Sequence, residues 1–387
     1  MVPVASRLRV LAVLAAVTGL VMSTTPAFAV ASPTPAKTWG TNGRVAVLLS
    51  VGGNVVLGGD FTSVVDTAGN SYPASRLAVI SASTGIVNRA WTGGADGTVT
   101  ALAATGNTLF VGGYFSKVDG VSHRSVAAIS LSTGALISTF RTTANKPVQG
   151  LAVAGSSLIL GGTFTSLTDA TRTTSRSFLA KASTATGAVD QTWAPRADAQ
   201  VRAVKAATDG SKVFIGGDFT TVNGASNKST AALAVAGSGA LVSGYHGGPT
   251  NNNKFAPVLD MQLVGTTLLV AAGGGGGGCT ALSATTGSKI WGKHTNGNVQ
   301  AVVYGHGIVY CGGHFGGSGS FDGQTRYKIA AVSAYAPYAT TSYAPRFNST
   351  LGIWALAADT GHLFAGGDFT KVNQATHNHY ASFTDSP

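Results

Sequence analysis

The sequence predicts an all-β chain built from repeats, and three observations predict it. An apolar run ending in a double glycine recurs at a near-regular period along the 387 residues. Gly, Thr, Ser and Val displace helix formers, and all 14 acidic residues are Asp. Short apolar segments alternate with Gly, Asn and Asp turn signals throughout. Self-similarity at this scale outranks any local reading of secondary structure.

The repeat is clearest at Leu109-Phe110-Val111-Gly112-Gly113-Tyr114-Phe115. Equivalent pairs begin at Gly58, Gly112, Gly161, Gly216, Gly312 and Gly366, and a worn copy at Ala271-Ala272 enters the run Gly273 to Gly278. Successive copies lie 41 to 55 residues apart. Within one unit, Val99–Ala104 reads as a first strand, and Thr105-Gly106-Asn107 as a tight turn. Thr108–Phe115 is a second strand, Ser125–Ser130 a third, and Ala135–Phe140 a fourth that ends in an aromatic. Four short antiparallel strands in about fifty residues predict the blade of a β-propeller. The double glycine then lets one blade approach its neighbour or kinks the strand. A phosphate cradle is rejected, because such loops join a strand to a helix. The glycine run in the fifth unit is expected to shorten its hairpin.

The chain ends refine the prediction. The last unit stops after its third strand, Tyr380-Ala381-Ser382-Phe383. Near the start, Ala36-Lys37-Thr38-Trp39-Gly40 matches a fourth-strand end such as Arg89-Ala90-Trp91-Thr92-Gly93. The N-terminal segment should therefore complete the last blade and remove exposed strand edges. The expected fold is a single seven-bladed propeller of four-stranded blades over residues 37–387, closed in this way and monomeric.

Residues 1–29 read as a secretory signal: Arg7 and Arg9, an apolar Val10–Val21, and Ala27-Phe28-Ala29 with cleavage after Ala29. That apolar stretch is too short to span a bilayer, and no transmembrane segment is expected in the mature, secreted chain. Residues 30–36 read as a short linker. The formal charge is +11, or +9 without Arg7 and Arg9. The basic residues are scattered, which argues against nucleic acid as a partner. Two cysteines, Cys279 and Cys311, permit one disulfide in an exported chain; two buried thiols are the alternative.

The pattern G-G-x-F-[ST]-x-V-[DN]-G resembles the delta-60-repeat family of secreted bacterial propellers. It stands here as Gly112 to Gly120 and as Gly216 to Gly224, with a third copy from Gly366 in which Gln374 replaces the last glycine. The resemblance covers about residues 37 to 387. It implies a non-enzymatic extracellular propeller, of a kind often joined to binding modules. Separately, Ala284 to Trp291 is similar to the tryptophan-docking motif of quinoprotein dehydrogenases, where it is a structural blade contact. That likeness supports a related propeller superfamily and implies no quinone.

Catalytic constellations are sparse. Asp60, Asp218 and Asp368 occupy one equivalent position in different units, so each is expected to bond turn amides in its own blade. His377 and His379 share one face of a predicted surface hairpin, with His123 equivalent to His377; exposed side chains are expected, and no metal. No cofactor is expected. A ligand would sit at the channel mouth, where aligning the units puts Ala46, Thr100, Gln149, Arg202, Leu259, Gln300 and Trp354 at the second position of each first strand. Gln149, Arg202, Gln300 and Trp354 are the candidate binding residues for a sugar or peptide. The expected function is a secreted, non-catalytic binding or scaffold module for a cell-wall glycan or extracellular protein. The alternative is a polysaccharide-acting enzyme with its site at that mouth.

Overall fold

A computed structural model describes residues 30–248, 255–275 and 277–385; the signal sequence expected over residues 1–29 lies outside them. Among the described residues there is no helix, and none therefore long and apolar enough to cross a membrane. Seven antiparallel sheets follow one another along the chain, one per repeat. Their three successive strands are Val45–Val51, Asn54–Gly59 and Leu77–Ser81 in unit one, and Val99–Thr105, Thr108–Gly113 and Val126–Ser130 in unit two. Unit three has Val148–Ala154, Ser157–Gly162 and Leu179–Ser183; unit four has Val201–Ala206, Lys212–Gly217 and Thr230–Ala234. Unit five adds a fourth strand to Val258–Val264, Thr267–Ala272 and Gly278–Ser283, namely Lys289–His294. Units six and seven have Val299–Gly305, Ile308–Phe321, Gln324–Ser333 and Ile353–Ala358, His362–Gly367, Tyr380–Thr384.

The four-stranded expectation is corrected in six of the seven units. There the fourth segment makes only isolated antiparallel bridges: Val87 to Ile80, Leu136 to Ile129, Val189 to Ala182, Leu241 to Leu233, Thr340 to Val332, and, in the last unit, Ala36 to Ser382 and Ala31 to Asp385. In unit three the turn that follows is locally enforced. Asp190 Oδ1 accepts the amides of Thr192 and Trp193, which ends strand geometry two residues past the bridge. The terminal aromatic then crosses to the next unit. Trp91 Nε1 donates to Leu131 O at 3.0 Å, and Trp193 Nε1 donates to Ala234 O at 2.9 Å.

The core is divided among the unit boundaries. Seven buried clusters each draw on two consecutive units. In the second strand of unit one, Val56 joins the cluster shared with unit two, while Val55 and Leu57 join the cluster shared with unit seven. Both faces of that strand are buried, so its sequence is apolar without alternation. The first glycine of each pair marks the boundary. A Cβ on Gly58 would lie 2.8 Å from Val99 Cγ1 of unit two, and one on Gly366 would lie 2.6 Å from Val45 Cγ1 of unit one. First strands touch in sequence around the molecule, and the seventh touches the first.

The N-terminal segment meets the last unit, with a register that differs from expectation. Ala31 and Ala36 bridge Asp385 and Ser382, and Ser32 N donates to Thr384 O at 2.7 Å. Ala31 is buried and its amide donates to Tyr310 Oη at 2.8 Å. Residues 30–36 thus form part of the fold where a linker was expected. Of the stretch expected to pair, only Ala36 does so; Trp39 N bonds Gly85 O, and Gly40–Thr41 pairs with Val64 and Val65 in unit one. A disulfide joins Cys279 in unit five to Cys311 in unit six, both fully buried.

Candidate functional site

Each first strand carries a β-bulge at its second residue. Pairing with the second strand skips from Val45 to Val47, Val99 to Ala101, Val148 to Gly150, Val201 to Ala203, Val258 to Asp260, Val299 to Ala301 and Ile353 to Ala355. In six units the second glycine of the pair lies against the bulge. A Cβ there would strike the carbonyl oxygen just before the first strand, that of Arg44, Thr98, Pro147, Gln200, Asn298 or Gly352; unit five keeps the bulge with Ala272 at this place. The two backbones can come this close only at glycine, and a bulge re-aims the extra side chain.

The skipped residues are Ala46, Thr100, Gln149, Arg202, Leu259, Gln300 and Trp354, the seven positions singled out from the sequence. All seven line one cavity of about 650 Å³, together with Arg44, Tyr114 and Asn298. A narrower space of about 300 Å³ continues from it along the first strands, past Lys205, Asp260 and Gln262. The larger volume falls in the range of small-ligand sites.

The polar groups at this mouth are held by partners. Arg202 forms a two-pronged ion pair with Asp218: Nε to Oδ1 at 2.7 Å and Nη2 to Oδ2 at 2.9 Å. Gln200 Nε2 donates to the same carboxylate. Burial works against ionisation of Asp218, but the Arg202 and Gln200 bonds prevail and hold it below its ordinary value. Arg44 pairs with Asp60 at 2.6 Å, and its guanidinium lies 4.4 Å from the centre of the half-buried Trp354 ring. Thr98 donates to Asp60. Gln149 Nε2 donates to Tyr114 Oη at 3.0 Å. The Gln300 amide, oriented to satisfy its neighbours, donates to Leu351 O at 2.9 Å. Three buried side-chain atoms of the lining residues have no hydrogen-bond partner: Trp354 Nε1, Arg44 Nε and Gln149 Oε1.

Farther in, burial pushes the Asp260 carboxyl above its ordinary value, countered by Lys205 at 3.9 Å and the Val302 amide. Gln262 Oε1 accepts the Tyr304 amide. Both side chains satisfy edge amides of the next unit's first strand, a structural task.

Asp60 and Asp218 therefore hold arginines, where turn-amide bonding was expected. Only Asp368 approaches that expectation, accepting Leu351 N and the Ser349 and Thr350 hydroxyls. Turn amides belong instead to an Asn or Asp before the first strand. Asn42, Asp96, Asn145 and Asp198 each accept two successive amides of the neighbouring hairpin, as does Asn348. In four of these units the residue stands three positions before the strand, a spacing visible in the sequence. The histidines also differ from expectation. His123 and His377 are buried, and burial lowers the pKa of each and of His379. No group of three potential metal ligands occurs among the described residues.

No protein-family model matches the chain, and no curated protein matches it. Among solved structures it is similar to the computationally designed Ika8 protein, with a TM-score of 0.52 and 12% identity over 89% of this chain and 95% of that one. At this identity the likeness concerns the fold alone.

Proposed function

We propose that the chain is a seven-bladed β-propeller of the delta-60-repeat kind, exported after cleavage at Ala29, that acts as an extracellular, non-catalytic binding module. The cycle of unit-to-unit contacts and the seven boundary cores support the ring and its count. The observation that carries the function is the convergence of all seven bulged side chains on one cavity. A regular scaffold with its variation collected at one mouth is how a site is grafted on a fold. Arg202, Trp354, Gln149 and Gln300 are the binding residues, and the ligand is a cell-wall glycan or an extracellular protein.

The alternative, a polysaccharide-acting enzyme, finds little support at the mouth. Acid–base work needs a carboxyl free to exchange its proton. The Asp60 and Asp218 carboxylates are each held by an arginine, and the Asp260 carboxyl lining the narrower space is engaged by Lys205 and the Val302 amide. Binding of the mature protein to a glycan array and to isolated cell walls tests the proposal, with Trp354→Ala as the comparison. Loss of binding at an unchanged melting temperature is the expected result. Binding that survives the substitution would place the site elsewhere.

A further inference from the structure

The charges at the mouth say which chemistry it would accept. Its two arginines are already neutralised, Arg202 by Asp218 and Arg44 by Asp60, so the lining offers paired donors and acceptors with no net charge. An anionic ligand would have to compete with a fixed carboxylate for each guanidinium. A hydroxyl would not, because it donates to the carboxylate and accepts from the guanidinium at once. Arg202 keeps Nη1 outside its ion pair. Beside the Arg44–Asp60 pair stands Trp354, with Arg44 over one face of its ring, and Arg202 lines the same cavity. A flat apolar ring next to rigid donor–acceptor pairs matches a molecule with a C–H face and a rim of hydroxyls.

We propose that the mouth binds the terminal residue of a neutral oligosaccharide. The sugar's apolar face lies against the part of Trp354 that lines the cavity, and its hydroxyls reach the Arg44–Asp60 and Arg202–Asp218 pairs. This inference rests on the reading of the mouth as a binding site and narrows it to one ligand class. The pairs also hold the side chains in place before binding, which reduces the ordering cost.

The test is calorimetric titration of the mature protein with cello-, chito- and malto-oligosaccharides, and with oligogalacturonate as the acidic probe, at low and high salt. A neutral series should bind with an affinity that changes less than about twofold across that salt range, because no net charge is neutralised. Trp354→Ala should weaken it by about tenfold or more, and Trp354→Phe should recover part of the loss. Asp218→Asn frees the Arg202 cation, so it should weaken neutral sugars and create salt-sensitive oligogalacturonate binding. Thermal melting of each variant separates lost contacts from lost folding. Preferential oligogalacturonate binding by the unaltered protein would overturn the neutral-sugar inference and leave the mouth reading standing. So would Trp354-dependent capture of peptides with no sugar bound. Sugar binding indifferent to both Trp354→Ala and Asp218→Asn would overturn both.

Discussion

Gly366→Ala probes the contact that joins the last unit to the first. The added Cβ would lie 2.6 Å from Val45 Cγ1 and 3.0 Å from Val45 Cβ, against 3.4–4 Å for ordinary contact. Val45 is fully buried, so it cannot swing into solvent. Overpacking of this size costs about 2 kcal/mol. In a chain of this length that lowers the melting temperature by roughly 2–3 °C. Val45→Ala alone removes two methyl groups and costs about 2 kcal/mol. The double variant should lose at least about 1 kcal/mol less than the two singles together, because the new methyl occupies the space that valine leaves. Gly361→Ala serves as the control: nothing lies within 4 Å and its backbone is not left-handed. It should change stability by no more than about 0.5 kcal/mol. Urea denaturation at constant slope measures the parent and all four variants. A Gly366→Ala variant that melts within about 1 °C of the parent, or additive effects in the cycle, would refute the close-approach argument.

Tyr310→Phe removes the acceptor for the buried Ala31 amide and should cost about 1–3 kcal/mol; hydrogen exchange at Ala31 should accelerate more than exchange elsewhere. Replacing both Cys279 and Cys311 by alanine opens a crosslink 32 residues apart in sequence and should cost about 3–4 kcal/mol, read by denaturation. Hydrogen bonds from Thr220 and Thr221 outweigh burial and draw Asp198 down to about 2. Bonds from Val189, Thr171 and Arg172 do the same for Asp169. Since both folded-state values are lowered, the stability these carboxylates contribute is present above the ordinary carboxylate value and lost as pH falls toward 2. Asp198→Asn keeps an acceptor of the kind three other units use, so it should fold normally at neutral pH and lose less stability on acidification.

What could be read from the sequence was whatever repeats. The strand ending in a double glycine fixed seven equivalent frames, and with them the seven residues that the structure collects at the mouth. Period alone did not reveal how those residues are held. Arg202 meets Asp218 because the residue after the double glycine lies beside the bulge of its own first strand, which needs the register of the bulge. Arg44 reaches Trp354 across the boundary between units one and seven, a contact between residues 310 positions apart in the chain. The fourth strand was over-read because six residues from turn to aromatic can be an extended strand or a bridge followed by a turn. Asp190 and Asn88 cap that turn with a side-chain oxygen, whereas in units two and four Ile137 and Val242 stand there and the backbone alone closes it, Phe140 N to Ile137 O and Tyr245 N to Val242 O. His123 and His377 were misjudged because a short hairpin with polar residues looks exposed until the neighbouring loops cover it.

The bridge between Ala31 and Asp385 places the two described ends side by side as antiparallel neighbours. With each core shared across a boundary, no unit has priority over another. A short loop joining these ends, with new termini cut between units three and four, would keep every boundary core intact. Circular permutants of this kind should fold, whereas deletion of a single unit strips the partner from two cores at once.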